Sequence, residues 1–258
     1  MIYVVISLTA LAASFITFFS GFGLGTLLMP VFALFFDLPT AIALTAIVHL
    51  LNNIFKLGLV HLHINYKILW QFGIPALLAS FAGAWMLQKI SHSSLILYVY
   101  YLGEKEFNIT WHGLIIGLVI LFFSIVELNK KLSEISFNSK FLIPGAILTG
   151  FFGGLSGHQG ALRTAFLLRM KLDKAVFIAT GVAIACLVDV ARLSVYSFSL
   201  KQLGSNTGIL IAAILSAFLG AFIGNKVFQK TSIVFIKWII GIFMFAVSLL
   251  IIAGIINK

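Results

Sequence analysis

The segment GGLSGHQGALR, residues 153–163, holds four glycines, a histidine, a glutamine and an arginine, with long apolar sequence on both sides. Backbone amides and carbonyls cannot face lipid unpaired. Irregular chain at membrane depth therefore survives only inside protein or along a wet cavity. A second glycine-rich interruption, FFSGFGLG at 18–25, breaks the apolar N-terminal region in the same way. These two breaks set the expected fold.

The surrounding composition is that of a membrane protein. Of 258 residues, 61% are hydrophobic and only 9% charged, too little polar surface for a soluble domain of this size. A helix needs about 20 apolar residues per crossing. Segments of that kind run over 40–60, 68–88, 112–128, 174–198, 206–226 and 233–256. The regions 2–36 and 141–170 are too long for one crossing and carry their glycines near the middle. Period-two alternation of the kind a barrel requires is absent, so the expected class is an all-α integral membrane protein. The first residues, MIYVVISLTALAASFITFF, lack a basic leader, and no cleaved signal is expected. Cys186 is the only cysteine, which rules out an intrachain disulfide. The formal charge of +10 sits mostly in loops, where it sets orientation. No nucleic-acid partner is expected.

The chain reads as a duplication. FFSGFGLG (18–25) resembles FFGGLSG (151–157), NNIFKL (52–57) resembles VDVARL (188–193), SFAGAW (80–85) resembles AFLGAF (217–222), and IIGLVILFFS (115–124) resembles IIGIFMFAVS (239–248). The offsets are 133, 136, 137 and 124, the last reduced because the loop at 89–111 has no equally long counterpart. The expected organisation is a first repeat over 1–128 (hairpin 2–36, helices 40–60, 68–88 and 112–128), a cytoplasmic linker over 129–140, and a second repeat over 141–258 (hairpin 141–170, helices 174–198, 206–226 and 233–256).

If each broken segment returns to its own side, each repeat crosses three times and the second is inverted. The loops at 37–39, 89–111 and 199–204 and both termini then share one side, with four basic residues: Lys89, Lys105, Lys201 and Lys258. The opposite loops carry nine, from Lys67 to Lys230. The positive-inside rule makes the richer side cytoplasmic and both termini non-cytoplasmic, as expected of a multi-pass protein of the inner (plasma) membrane. Ten full crossings give the same loop assignment and remain open.

Inverted repeats with broken helices are the architecture of secondary transporters. The second arm of each hairpin starts at its glycines, where unpaired helix N–H groups carry partial positive charge and suit an anion. The candidate substrate-binding residues are Gly21, Gly23 and Gly25 in the first break, and Gly157, His158, Gln159, Gly160 and Arg163 in the second. Asn52, Asn53 and Lys56 join them from the following helix, and Arg192 from its counterpart. Asn53 aligns with Asp189, and Lys56 with Arg192, at the 136 offset. Asp189, His158 and His49 are candidates for proton coupling. Asp189 is the one acidic residue deep in an apolar segment, against Lys56, Arg163 and Arg192. That excess of positive charge favours a small anionic substrate.

Structural alternatives stand beside these roles. Glycines also permit close helix packing, Arg163 can pair with a carbonyl, Lys56 can snorkel, Asp189 and Arg192 can form a structural ion pair, and His49 can be a packing residue. The spacings Ala76, Ser80, Ala84 and Ala212, Ser216, Gly220, Gly224 read as close helix crossings. HLH at 61–63 is too sparse for a metal site, and no metal or cofactor is expected. There is no phosphate-binding GxxxxGK[ST], HExxH or GxSxG, so neither ATP drive nor an enzyme is expected. An anion channel built on the same site is the competing function. Oligomeric state is open.

The stretches FFSGFGLGTLLMPVFALFFDLPTAIALTAIVHLLNNIFKLG (18–58) and GFFGGLSGHQGALRTAFLLRMKLDKAVFIATGVAIACLVDVARLSVY (150–196) resemble the TauE/SafE family of sulfite exporters. LYVYYLGEKEFNIT (97–110) looks like one branch of it. The resemblance covers nearly the whole chain. It implies a secondary carrier with duplicated halves that moves sulfur oxyanions such as sulfite or organosulfonates, often outward. It carries the glycine motifs onto Gly21, Gly23, Gly25, Gly153, Gly154, Gly157 and Gly160, and the polar motif onto His158, Gln159 and Arg163.

Overall fold

A computed structural model describes residues 1–20, 23–92, 95–133, 137–196, 206–227 and 233–256. In chain order the helices are α1 (Ile2–Ser20), α2 (Gly25–Ala33), α3 (Leu38–Val60) and α4 (Tyr66–His92). A β-hairpin follows, β1 (Ile96–Leu102) and β2 (Lys105–Thr110), and then α5 (Trp111–Leu128) and the short α6 (Lys130–Ser133). The rest comprises α7 (Leu142–Ser156), α8 (Gly160–Leu167), α9 (Lys174–Tyr196), α10 (Thr207–Val227) and α11 (Ile233–Ile252). Gly21, the loop at 199–204 and the last residues of the expected helix at 174–198 lie outside the described residues.

Local chemistry sets several boundaries. Asp37 caps α3, its carboxylate accepting from Thr40 N at 3.1 Å, with Pro39 next to the cap. Thr110 caps α5, accepting from Gly113 N at 3.2 Å. Gly157 ends α7 in the left-handed region (φ 82°), a conformation that favours glycine.

Among the described residues, five helices are long and apolar enough to cross a membrane: α3, α4, α5, α9 and α10. Both chain breaks are present as helix breaks. The arms after them, α2 with 9 residues and α8 with 8, are about 14 and 12 Å long at the α-helical rise. The hydrocarbon core is about 30 Å thick, so neither arm crosses it alone.

The expected plain loop at 89–111 is a correction: it holds the β-hairpin. Its strands are rich in tyrosine, valine and isoleucine, which favour extended chain. Gly103 turns them with φ 64°, at the first central position of a two-residue turn. The Tyr100 hydroxyl donates to Ala253 O at 2.6 Å and ties the hairpin to the end of α11.

The helix packing is reciprocal between the halves. α1 packs on α10 and α7 on α4, while α3 faces α9 and α5 faces α11. The α4–α7 crossing is backbone to backbone. A methyl added at Gly150 collides with the Ala76 carbonyl, one at Gly154 with Ser80 O, and one at Gly83 with Phe151 O. Ala76, Ser80 and Ala84 are buried there, as their spacing predicts. On α10 the buried face is Ala213, Ala217, Gly220 and Gly224, whereas Ala212 and Ser216 are only half-buried. The contact face is thus shifted by one residue at its N-terminal end. Gly150→Ala is expected to destabilise the bundle by about 1–3 kcal/mol by overpacking a contact that has no side chain able to give way. Thermal unfolding in detergent against the exposed control Ile147→Ala checks this.

Candidate functional site

The two breaks meet in the interior. A methyl placed on Gly25 lies 3.6 Å from Gly157 O, and one on Gly23 only 2.7 Å from His49 Nε2. At Gly157 a side chain meets Arg192 Nη1 at 2.9 Å. These glycines thus seat the breaks against each other and against the polar faces of α3 and α9.

Asp189, fully buried on α9, is the centre of the polar core. His49 Nδ1 lies 2.6 Å from its Oδ2, and Asn53 Nδ2 donates to the same oxygen at 3.3 Å. Oδ1 accepts from Gln159 Nε2 at 3.1 Å and Arg192 Nε at 3.0 Å, with Arg192 Nη2 at 2.8 Å. Arg192 Nη1 reaches Gly153 O at 3.5 Å. The second break, α3 and α9 therefore converge on one carboxylate, and Gly23 of the first break abuts its partner His49. Asn53 and Asp189, equivalent under the 136 offset, are in direct contact. The Tyr196 hydroxyl donates to Gly154 O and pins α9 to the end of α7.

Beside this core lies a narrow cleft with about 20 Å³ of free space, room for a water-sized group. Thr17, Phe18 and Gly23 line one side and Asn53 and Lys56 the next. Arg163 and the α9 residues Phe177, Ile178, Gly181 and Val182 complete it. Lys56 and Arg163 are only 3% and 5% exposed, so both cations sit in a largely desolvated site. The Lys56 ammonium lies over the Phe18 ring, 5.5 Å from its centroid. Arg163 Nη1 donates to Gln159 Oε1 at 3.3 Å, and its Nε passes over Gly181, where a methyl lies 3.5 Å away. The buried Thr17 Oγ1 has no hydrogen-bond partner among the described residues, nor has the Asn52 Nδ2 amide, whose Oδ1 accepts from Ser14 at 2.9 Å.

The structure divides the expected site residues into groups. Gly23, Asn53, Lys56 and Arg163 line the cleft. Gln159, Asp189, Arg192 and His49 form the network behind it, and Asn52 bonds to α1. Gly25, Gly157 and Gly160 are buried at the junction. His158 faces away from the cleft. Its ring stacks on Phe123 of α5 (5.6 Å, 10° between planes), and Nδ1 lies 3.0 Å from Ser156 O. That acceptor places the proton on Nδ1; Nε2 is buried without a partner among the described residues. Thr17, Phe18, Phe177, Ile178, Gly181 and Val182 are cleft residues that the sequence reading missed. Only Thr17, a polar residue one turn before a break, carried a signal. No group of three or more metal-ligating side chains occurs among the described residues.

An apolar helical bundle that buries three cations and one carboxylate around two meeting chain breaks is a multi-pass membrane protein with an internal polar site. The profile of the family described as Sulfite exporter TauE/SafE matches residues 6–251, and the chain belongs to that family. It is a membrane permease of a family that moves sulfite-type anions, not an enzyme family. No curated protein and no solved structure matches the chain.

Proposed function

We propose that the protein is a secondary transporter that exports a small sulfur-containing oxyanion, sulfite or an organosulfonate, by alternating access. The observation that carries this is the pairing of Lys56 from α3 with Arg163 from α8, two buried cations of different halves facing one cleft beside the junction of the breaks. Guanidinium and ammonium groups supply charged donors to an oxyanion, and the cleft, water-sized here, widens to admit one as the halves move. The two halves act as inverted repeats. The reciprocal helix packing and the contact between Asn53 and Asp189 support a pseudo-two-fold axis through the site. Rocking one half against the other opens the cleft to either side in turn. Protons are the coupling ion, with the His49–Asp189 pair as their carrier.

Purified protein in liposomes tests this. Labelled sulfite uptake is expected to saturate and to respond to an imposed pH gradient. Flux that rises linearly with concentration, without saturation, contradicts the carrier and favours a channel. The proposed inner-membrane orientation has both ends outside the cytoplasm. A cysteine placed at either terminus of a Cys186→Ser chain is expected to react with an impermeant thiol reagent on intact cells. Reaction only after lysis overturns that orientation.

A further inference from the structure

Two spaces flank α8. Arg163 lines the cleft, whereas Ala161, Leu162, Thr164 and Ala165 line a second cavity, with about 220 Å³ of free space against about 20 Å³ in the cleft. At about 3.6 residues per turn, Ala161 and Ala165 lie on the face of α8 opposite Arg163. We propose that this second cavity is a lipid site, occupied by an acyl chain of an anionic phospholipid that braces α8 from behind.

Phe122, Phe123 and Val126 of α5 complete the wall that these α8 residues begin. Among the described residues, the polar side chains on the walls are Glu127, in the last turn of α5, and Thr164. A buried water needs about two to four polar partners, so water does not fill an apolar space of this size. Left empty, the walls forgo their contacts, and hydrocarbon restores them. The mouth opens to lipid: Phe122 is 56% exposed and shares a face of α5 with the exposed Leu118 and Ile125. Phe137, also on the wall, is fixed against α8. Its backbone N donates to Ala165 O at 3.2 Å, and its ring stacks on Phe166 at 4.6 Å. Charge at the rim selects the headgroup. The exposed Lys131 adjoins Leu132 of the cavity wall, and the exposed Lys140 follows Phe137 by three residues. Lysines at a membrane surface attract acidic phospholipids. Because Arg163 leaves α8 on the far side, a chain lodged here holds that guanidinium towards the cleft.

Native mass spectrometry of the purified, delipidated protein tests this. The probes are dioleoyl phosphatidylglycerol and dioleoyl phosphatidylcholine, which has the same chains and no net charge. A single phosphatidylglycerol is expected to be retained, at least about fivefold more strongly than phosphatidylcholine. Ala165→Phe fills the cavity and is expected to weaken retention at least about tenfold, because several methylenes lose their burial. Ala161→Leu serves as a second variant should the first fail to fold, with circular dichroism reporting folding of each. Lys131→Ala/Lys140→Ala is expected to bring the two lipids to equal retention. Phosphatidylglycerol should also raise the melting temperature of the wild-type protein and not that of Ala165→Phe. Equal retention by the wild-type protein and the folded cavity variants overturns the lipid site, as does a dimer that forms in place of the lipid adduct. Equal retention of the two lipids by the wild-type protein overturns the anionic headgroup. Neither readout needs an anion in the cleft, so the outcome is independent of sulfite transport.

Discussion

Asp189→Ala is expected to be the most destabilising single change in the polar core, lowering stability by about 3–5 kcal/mol. The substitution leaves Arg192, which is fully buried, without its carboxylate. It also strands the donors of His49, Asn53 and Gln159, which all converge on the same group. An orphaned charge and three orphaned donors in an apolar bundle have no water to turn to. The double variant Asp189→Leu/Arg192→Met removes both charges together. It is expected to recover most of the loss, because deleting both members of a buried pair is far milder than deleting one. Thermal unfolding of the single and double variants in one detergent gives the coupling directly. Equal losses in Asp189→Ala and the double variant would show that the ion pair is not what the site depends on.

Arg163→Ala is expected to abolish transport while the protein still folds. Arg163 is buried beside the cleft, where its Nη1 donates to the neutral Gln159 Oε1. Its removal thus leaves the Asp189–Arg192 pair intact. A charged hydrogen bond to a desolvated oxyanion contributes about 2–5 kcal/mol when one partner is truncated, roughly 30-fold to several-thousand-fold in affinity. Uptake of sulfite by liposomes should fall by at least about 30-fold at subsaturating concentration, and Arg163→Lys should restore part of it by returning the charge without the planar fork. Wild-type uptake in Arg163→Ala would move the anion elsewhere.

Much of the site was legible because lipid makes polarity conspicuous. Glycines, a histidine and an arginine inside an apolar run have few physical explanations, so Gly23, Gly25, Gly157 and Arg163 stood out. The weak repeat paired Asn53 with Asp189 across 136 positions, and the structure joins them by a hydrogen bond. What stayed hidden has physical reasons too. Phe177, Ile178 and Val182 face a cleft, but in sequence they cannot be told from residues that face lipid. The role of Gly181 depends on Arg163 crossing it, a contact between two helices. His158 was expected at the cleft, yet its aromatic partner Phe123 comes from α5, which nothing in the local pattern announces. The hairpin at 96–110 was read as a plain loop because it falls between two membrane helices, while tyrosine and valine around a glycine turn favour strands.

The central claim, an oxyanion held between the cations of the two halves, is tested most directly by locating one. Selenate, a heavier analogue of a sulfur oxyanion, can be soaked into crystals of the protein and found by its anomalous scattering. The predicted result is a selenium peak in the cleft between the Lys56 ammonium and the Arg163 guanidinium, within hydrogen-bond reach of Thr17. A peak only elsewhere in the bundle, or none in the cleft at a concentration that saturates binding, would contradict it.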